Sequence, residues 1–313
     1  MRSRYKLLAL TPLVFLARGA IAKESIEFVA EHLPEIAMDN RYASLPLWSS
    51  CNRDRQADAG YCFGIDASYA AIRSGTLSFD GPMLSLGVSR PMGAKYRLTA
   101  FAFFDRFSLA SGVEHRPLDT LFVDVPLTQP AEAEFTGLDG SAHDLGFGMA
   151  LNGSADWGWL SGFEWSAGIL WQQVKLSDYR FDYLITDGPD TGATGIVDFS
   201  ATYTHITPFV GAAWPRTRGV WQYAPHVQLA MPLPRRGIEG RITGPGFDLS
   251  GNSSDNGTGT PFGDPSVTIG FNVTYQPWNL TVDFGSTLTQ ALIEPKIHEG
   301  VQHTLLLTAQ WTF

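Results

Sequence analysis

Long hydrophobic runs are missing from this 313-residue chain. Beyond residue 22 no apolar stretch approaches the roughly 18 to 20 residues that a helix needs to cross a bilayer, so spanning helices are excluded there. Charge is scarce as well. Only 17% of residues are charged, and the acidic ones outnumber the basic ones 31 to 22, for a formal charge of −9. Such an acidic chain is a poor partner for nucleic acid, whose phosphates need a basic surface. Cysteine is reduced to Cys51 and Cys62, with no histidine or second cysteine pair beside them, which disfavours a metal site. No residue pattern points to a cofactor. What the chain has instead is 32 glycines and an aromatic share of 12%, at a mean hydropathy of −0.04. A neutral mean suits a soluble fold, and it suits equally a sheet whose two faces alternate between grease and water.

The amino terminus reads as a secretory signal. Arg2, Arg4 and Lys6 form a basic head, Leu7 to Leu16 is apolar apart from Thr11 and Pro12, and Ala20-Ile21-Ala22 offers the small residues of a cleavage site. Loss of residues 1–22 removes Arg2, Arg4, Lys6 and Arg18 and moves the formal charge to about −13. Cys51 and Cys62 then reach an oxidising space, where a disulfide between them is expected. It would clip the segment before it to the first strand and add roughly 2 to 3 kcal/mol.

From Tyr61 onward the apolar period is two, the period of strands. Phe63, Ile65, Ala67 and Tyr69 alternate with Gly64, Asp66, Ser68 and Ala70. Leu84, Leu86 and Val88 alternate with Ser85, Gly87 and Ser89. A third strand runs near Tyr96 to Phe107, and His143 to Leu151, Trp159 to Gln172, Val197 to Thr204, Trp221 to Leu229, Ser266 to Tyr275 and Leu280 to Gly285 follow. Pro208 implies a bulge or a strand end. The last stretch, VQHTLLLTAQWTF, sets Val301, His303, Leu305, Leu307, Ala309, Trp311 and Phe313 on one face and Gln302, Thr304, Leu306, Thr308, Gln310 and Thr312 on the other. Its apolar row ends in two aromatics, Trp311 and Phe313, and in this it resembles the terminal strand of bacterial outer-membrane β-barrels. The resemblance implies an antiparallel up-and-down barrel of about ten strands over residues 61–313. It also implies assembly by the barrel-assembly machinery through that last strand, and contact with outer-membrane lipid and lipopolysaccharide. Alternation in Leu121, Val123, Val125 and Leu127 leaves twelve strands open.

The links between strands carry an independent signal, because such barrels have short periplasmic turns and long outer loops. Counting back from Phe313, Gln276 to Asn279 is short, Pro232 to Asp264 long, Pro215 to Gly219 short, Lys175 to Gly195 long, Gly153 to Trp157 short, Ser108 to Ser141 long and Pro91 to Lys95 short. This parity sets the amino terminus in the periplasm and the long loops outside. Trp311, Trp278, Tyr275, Trp159, Trp214, Trp221 and Tyr96 fall near the short-turn ends, where an interfacial girdle belongs. In residues 23–60, Ser25 can cap a helix carrying Ile26, Val29, Ala30 and Leu33 on one side and ending at Pro34. This segment is either a periplasmic arm or a plug folded into the barrel.

The predicted inner face is small, with Gly64, Ser68, Gly87, Gly146, Gly148, Gly162, Ser166, Gly168, Gly270 and Gly285. Either these leave room for the arm, a passage or a ligand, or glycine serves sheet curvature. Asp66, Asp144, Glu164, Asp198, His226 and Asp283 are the ionisable residues expected to line the lumen. Carboxylates there need partners, water or a function; Arg41, Arg53 and Arg55 of the arm are candidate partners. The Asp-x-His pair of the omptin proteases is absent, and His115, Asp119, Asp178, His205 and His298 match no catalytic spacing. The expected function is passage, passive or gated, of a small apolar or cationic solute. An outer-membrane protease or lipid hydrolase and a structural or adhesive barrel with acidic loops are the alternatives.

Overall fold

A computed structural model describes residues 60–111, 114–117, 132–155, 162–187, 191–192, 194–231, 233, 236–244, 247–253, 266–289 and 301–312, less residues 75, 76 and 94. The strands are β1 (Cys62–Ser74), β2 (Leu77–Met92), β3 (Tyr96–Ser111), β4 (Glu114–Pro117), β5 (Glu132–Ala155), β6 (Phe163–Asp187) and β7 (Thr194–Ala213). They continue as β8 (Arg216–Arg218), β9 (Trp221–Ala230), β10 (Arg236–Gly244), β11 (Phe247–Ser253), β12 (Ser266–Tyr275), β13 (Leu280–Thr289) and β14 (Val301–Thr312). Every pairing is antiparallel, and β14 returns to β1, with Gly64 opposite Thr312 and Ser74 opposite Gln302. The sheet therefore closes into a ten-stranded barrel, in the order β1, β2, β3, β5, β6, β7, β9, β12, β13, β14. The segment 121–127, which left twelve strands open, lies outside the described residues, and the circuit closes without it. Following register partners once round the wall climbs by about 14 residues, which for ten strands sets a tilt of about 45° and a radius of about 10 Å.

Closure is what makes the apolar exterior possible, since an open edge in lipid would leave backbone groups without partners. Phe63, Leu86, Phe104, Phe147, Met149, Ile269, Phe284 and Leu307 point outward and are about half exposed, Phe147 at 57%. Their chain neighbours Gly64, Phe103, Asp105, Gly146, Gly148 and Thr308 are buried on the inside. The same alternation that would be a solubility defect in water is here the lipid-facing surface.

One end of the barrel carries tight connections. Gly93 and Gly162 adopt left-handed φ values of 76° and 77° in two of the turns. The link from β12 to β13 is a one-turn 3-10 helix at Gln276–Trp278 closed by a left-handed Asn279. Aromatic contacts run along this end: Trp221 to Tyr275 and Phe163 to Trp214 at 4.9 Å, Tyr275 to Trp278 at 5.3 Å and Tyr96 to Trp165 at 6.0 Å. Of the expected girdle, Trp159 lies outside the described residues.

The opposite end differs from the sequence expectation. Much of 108–141 and 175–195, expected as loops, is strand: β5 and β6 run for 24 and 25 residues and rise together past the apolar band as an extended hairpin. Within 232–264, β10 and β11 form a second hairpin, paired to the upper part of β7. The link between β1 and β2 spans residues 75–76 alone, a short connection at the long-hairpin end.

Pro208 neither ends nor bulges β7, which runs on to Ala213 with Ile169 paired opposite the proline. The carbonyl of Pro208 accepts from the Met231 amide at 2.9 Å, so the position of its missing N–H faces the β9 side, just where β9 stops. The bond forgone is the reciprocal one to the Met231 carbonyl, at the end of the β7–β9 ladder, and the Leu233 amide still donates to the Ile206 carbonyl at 2.7 Å beyond it. Pro225 in β9 uses the same device at the other end, its carbonyl accepting from the Trp214 amide at 3.0 Å where β7 gives out. The expected signal peptide, the arm at 23–60, Cys51 and Phe313 lie outside the described residues, whereas Cys62 opens β1.

Candidate functional site

The inward side chains divide the lumen into two unlike walls. On the arc from β3 to β6 each strand reads polar, then apolar, then polar, and β7 adds an apolar and then a polar group. β3 presents Thr99, Phe101, Phe103 and Asp105; β5 presents Asn152, Ala150, Gly148, Gly146 and Asp144. β6 follows with Ser166, Gly168, Leu170 and Gln172, and β7 with Phe209 and Thr207. All these aromatic and aliphatic groups are buried.

The glycines on this arc are covered rather than empty. A methyl carbon on Gly146 would sit 2.2 Å from Phe103 Cζ, one on Gly148 2.5 Å from Phe101 Cζ, and one on Gly168 2.6 Å from Phe209 Cζ. Each ring therefore lies flat along the wall, over a glycine of the next strand. The apparently small inner face is in fact paved with phenylalanine. Either reading of those glycines from sequence, spare room or curvature, misses this, because the ring and the glycine it needs are far apart in the chain.

Polar networks bound this apolar patch. Towards the short-turn end Asn152 Nδ2 donates to Thr99 Oγ1 at 2.7 Å, Ser89 Oγ and Thr99 Oγ1 share a bond of 3.1 Å, and Arg97 Nε donates to Ser89 Oγ at 3.1 Å. Towards the other end Asp105 and Asp144 are register partners, both buried, and Gln172 Nε2 donates to Asp144 Oδ2.

The arc from β9 through β14 to β1 is mainly polar, with only the small side chains Ala224, Ala230 and Ala70 buried among its polar groups in the described residues. Gln222 and Gln228 of β9, Thr268 and Thr274 of β12, Thr308 and Gln310 of β14 and Asp66 of β1 are buried on it. Its centre is a pair that reaches across a strand: His226 Nε2 on β9 lies 3.7 Å from Asp283 Oδ2 on β13, with β12 between. Gly270 of β12 permits this. A methyl carbon there would meet His226 Nε2 at 2.3 Å and Cε1 at 2.4 Å. The imidazole Nδ1 is buried with no hydrogen-bond partner. Along the same wall Ser85 Oγ donates to Asp66 Oδ2 at 3.1 Å, leaving Asp66 Oδ1 buried without a partner, and Ser68 Oγ donates to Thr308 Oγ1 at 2.9 Å.

Of the ionisable residues proposed from sequence, Asp66, His226 and Asp283 thus share the polar arc, and Asp144 lies on the opposite wall. Glu164 sits near the short-turn end of β6, next to the register pair Ser166 and Asn152. Asp198 lies on the upper extension of β7, in register with Arg180 and Thr243 and away from the others. Asp105 and Arg97 were not singled out from sequence, because the facing of the third strand was ambiguous. The rim candidates do not assemble: His115, Asp178 and His205 sit on β4, β6 and β7, while Asp119 and His298 lie outside the described residues. Among the described residues no group of histidine, cysteine and acidic side chains has metal-holding geometry.

No protein-family model and no curated protein matches the sequence. Solved structures with a similar fold include the translocator domain of the autotransporter NalP from Neisseria meningitidis, at 9% identity over 86% of this chain and 98% of that one, with a TM-score of 0.39. The outer membrane protease OmpT from Escherichia coli gives 10% identity over 82% and 96%, with a TM-score of 0.39. The Ralstonia pickettii toluene transporter TbuX gives 11% over 83% and 91%, with a TM-score of 0.31. At these values the likeness is one of general architecture and says nothing of activity. The closed antiparallel sheet, the apolar exterior and the aromatic end together give this chain the fold of a bacterial outer-membrane β-barrel, with ten strands.

Proposed function

We propose that the barrel admits a small solute to its lumen and passes it across the outer membrane. The observation that carries this reading is the two-sided wall. Phe101, Phe103, Leu170 and Phe209 offer an apolar surface, and Asp66, His226, Asp283 and the glutamines of β9 face it as a hydrogen-bonding, acidic one. A barrel needing only a stable filled core has no use for segregation of this kind. A solute with an apolar side and a cationic or hydrogen-bond-donating group matches both walls at once. The carboxylates favour cations over anions in so confined a space.

In this reading residues 1–22 are removed, and the arm at 23–60 occupies the lumen from the periplasmic, short-turn end, held at the mouth by a Cys51–Cys62 disulfide. The long hairpins then stand outside the cell. Support for the clip is the place of Cys62, the first residue of β1 at the end where the arm would enter.

Planar-bilayer recordings on refolded chain 23–313 and on chain 61–313 test the proposal. Conductance steps are expected to be rare in the first and frequent in the second, with cation preference that falls in Asp66→Asn and Asp283→Asn. Silence in both chains, verified as folded and inserted, would overturn the passage reading.

A further inference from the structure

The outer surface of the barrel carries a feature that the lumen reading leaves unused. Arg106 on β3, His143 on β5 and Lys175 on β6 are direct register partners across three adjacent strands. All three point outward, since Asp105, Ala142, Asp144 and Val174 beside them are buried inside. They form a row roughly 10 Å long, two strand spacings, running across the sheet. Just below it lie the exposed apolar side chains Phe104, Leu145 and Phe147, so the row marks the upper edge of the hydrocarbon band. Phe104 stacks on His143, with centroids 6.4 Å apart.

Along the row an arginine and a lysine flank a histidine with no acid between them. Neither Arg106 nor Lys175 has an acidic partner among the described residues. Asp80 on β2, the outward acid on the neighbouring strand, accepts a hydrogen bond from Tyr69 of β1. Among the described residues the row is therefore a basic strip without acidic partners, at the height where lipid headgroups begin. Guanidinium and ammonium groups in that position match phosphate oxygens, the arginine in bidentate fashion.

We propose that Arg106, His143 and Lys175 form a docking strip for a phosphorylated lipid headgroup, with acyl chains lying down the Phe104–Leu145–Phe147 surface. The occupant is a phosphorylated lipid of the leaflet around the long-hairpin end, and lipid A serves as its probe. The assignment does not depend on what the lumen carries.

Native mass spectrometry of the refolded chain in detergent micelles, titrated with bis-phosphorylated lipid A, tests this. Wild type is expected to retain the lipid, and Arg106→Gln with Lys175→Gln to weaken retention roughly 30-fold. Arg106→Lys with Lys175→Arg is expected to restore most of it. Arg218→Gln, exposed at the opposite end, is expected to change nothing. Dephosphorylated lipid A is expected to bind wild type no better than the phosphorylated lipid binds the double glutamine variant. Equal retention by wild type and the double variant, each shown to be folded by heat-dependent gel mobility, would overturn the proposal. So would equal retention of both lipids. Displacement of lipid A by millimolar inorganic phosphate alone would reduce the strip to a simple anion site and likewise reject a lipid-docking surface.

Discussion

Gly270→Val is expected to separate His226 from Asp283 and to lower the stability of the folded barrel by about 1 to 3 kcal/mol, the scale of forcing extra carbons into a close-packed site. The first side-chain carbon alone would lie 2.3 Å from His226 Nε2 and 2.8 Å from the carbonyl oxygen of Phe284. The backbone oxygen cannot yield, because it belongs to the wall, so the imidazole has to move. Once displaced it no longer bridges β9 to β13, and Asp283 loses its counter-group inside the barrel. Urea titration of the chain folded into lipid vesicles measures the effect through the unfolding midpoint. A variant as stable as wild type would mean that the pair contributes nothing and that the ring has room elsewhere. His226→Gln is the companion change, since it keeps a hydrogen-bonding side chain above Gly270 without the ring; a smaller loss than that of Gly270→Val separates crowding from pairing.

Met149→Arg is expected to cost about 2 to 4 kcal/mol, the penalty for a cation on the lipid face near the bilayer midplane. Met149 is 49% exposed, and in a soluble protein a substitution at such a site usually changes stability by less than about 0.5 kcal/mol. The size of the loss thus reports what surrounds the barrel. Leu184→Arg supplies the contrast. Leu184 is outward and partly exposed as well, at 37%, but it lies on the upper extension of β6, in register with Glu134 and Thr194. Water is expected around it, and the arginine there to be nearly neutral. Vesicle-based unfolding of both variants reads the two environments on one scale. Comparable losses at the two positions would mean that the hydrophobic band extends farther up the hairpins than the side chains indicate.

The divide between what could be read from the chain and what could not follows from the range of each signal. Alternation is local: Leu84, Leu86 and Val88 against Ser85, Gly87 and Ser89 state which side of the strand meets lipid, whatever strand lies next door. Repeated through the chain, with an aromatic ending and short links at one end, this was enough for a barrel of about ten strands and for its girdle. The signal faded where lipid no longer sorts the side chains. The extensions of β5 and β6 read as acidic loops because their sequences carry no sustained apolar period, and without one a strand leaves no local signal. Pro208 misled for a related reason: whether its missing N–H ends a strand depends on where the pairing with a different strand, β9, ends, and β7 stays paired to β6 throughout.

By itself, then, the sequence determined the strand period and the closed sheet that such a period needs in lipid, since both follow from neighbouring residues and the demand that no backbone group face hydrocarbon unpaired. Tertiary structure decided the character of the interior. Phe103 covers Gly146 and His226 crosses Gly270 to Asp283 only because the register between distant strands aligns them. The same register sets Arg106, His143 and Lys175 side by side. Register depends on how far the strands are staggered when the barrel closes, which is a property of the whole ring and is written in no single stretch of it.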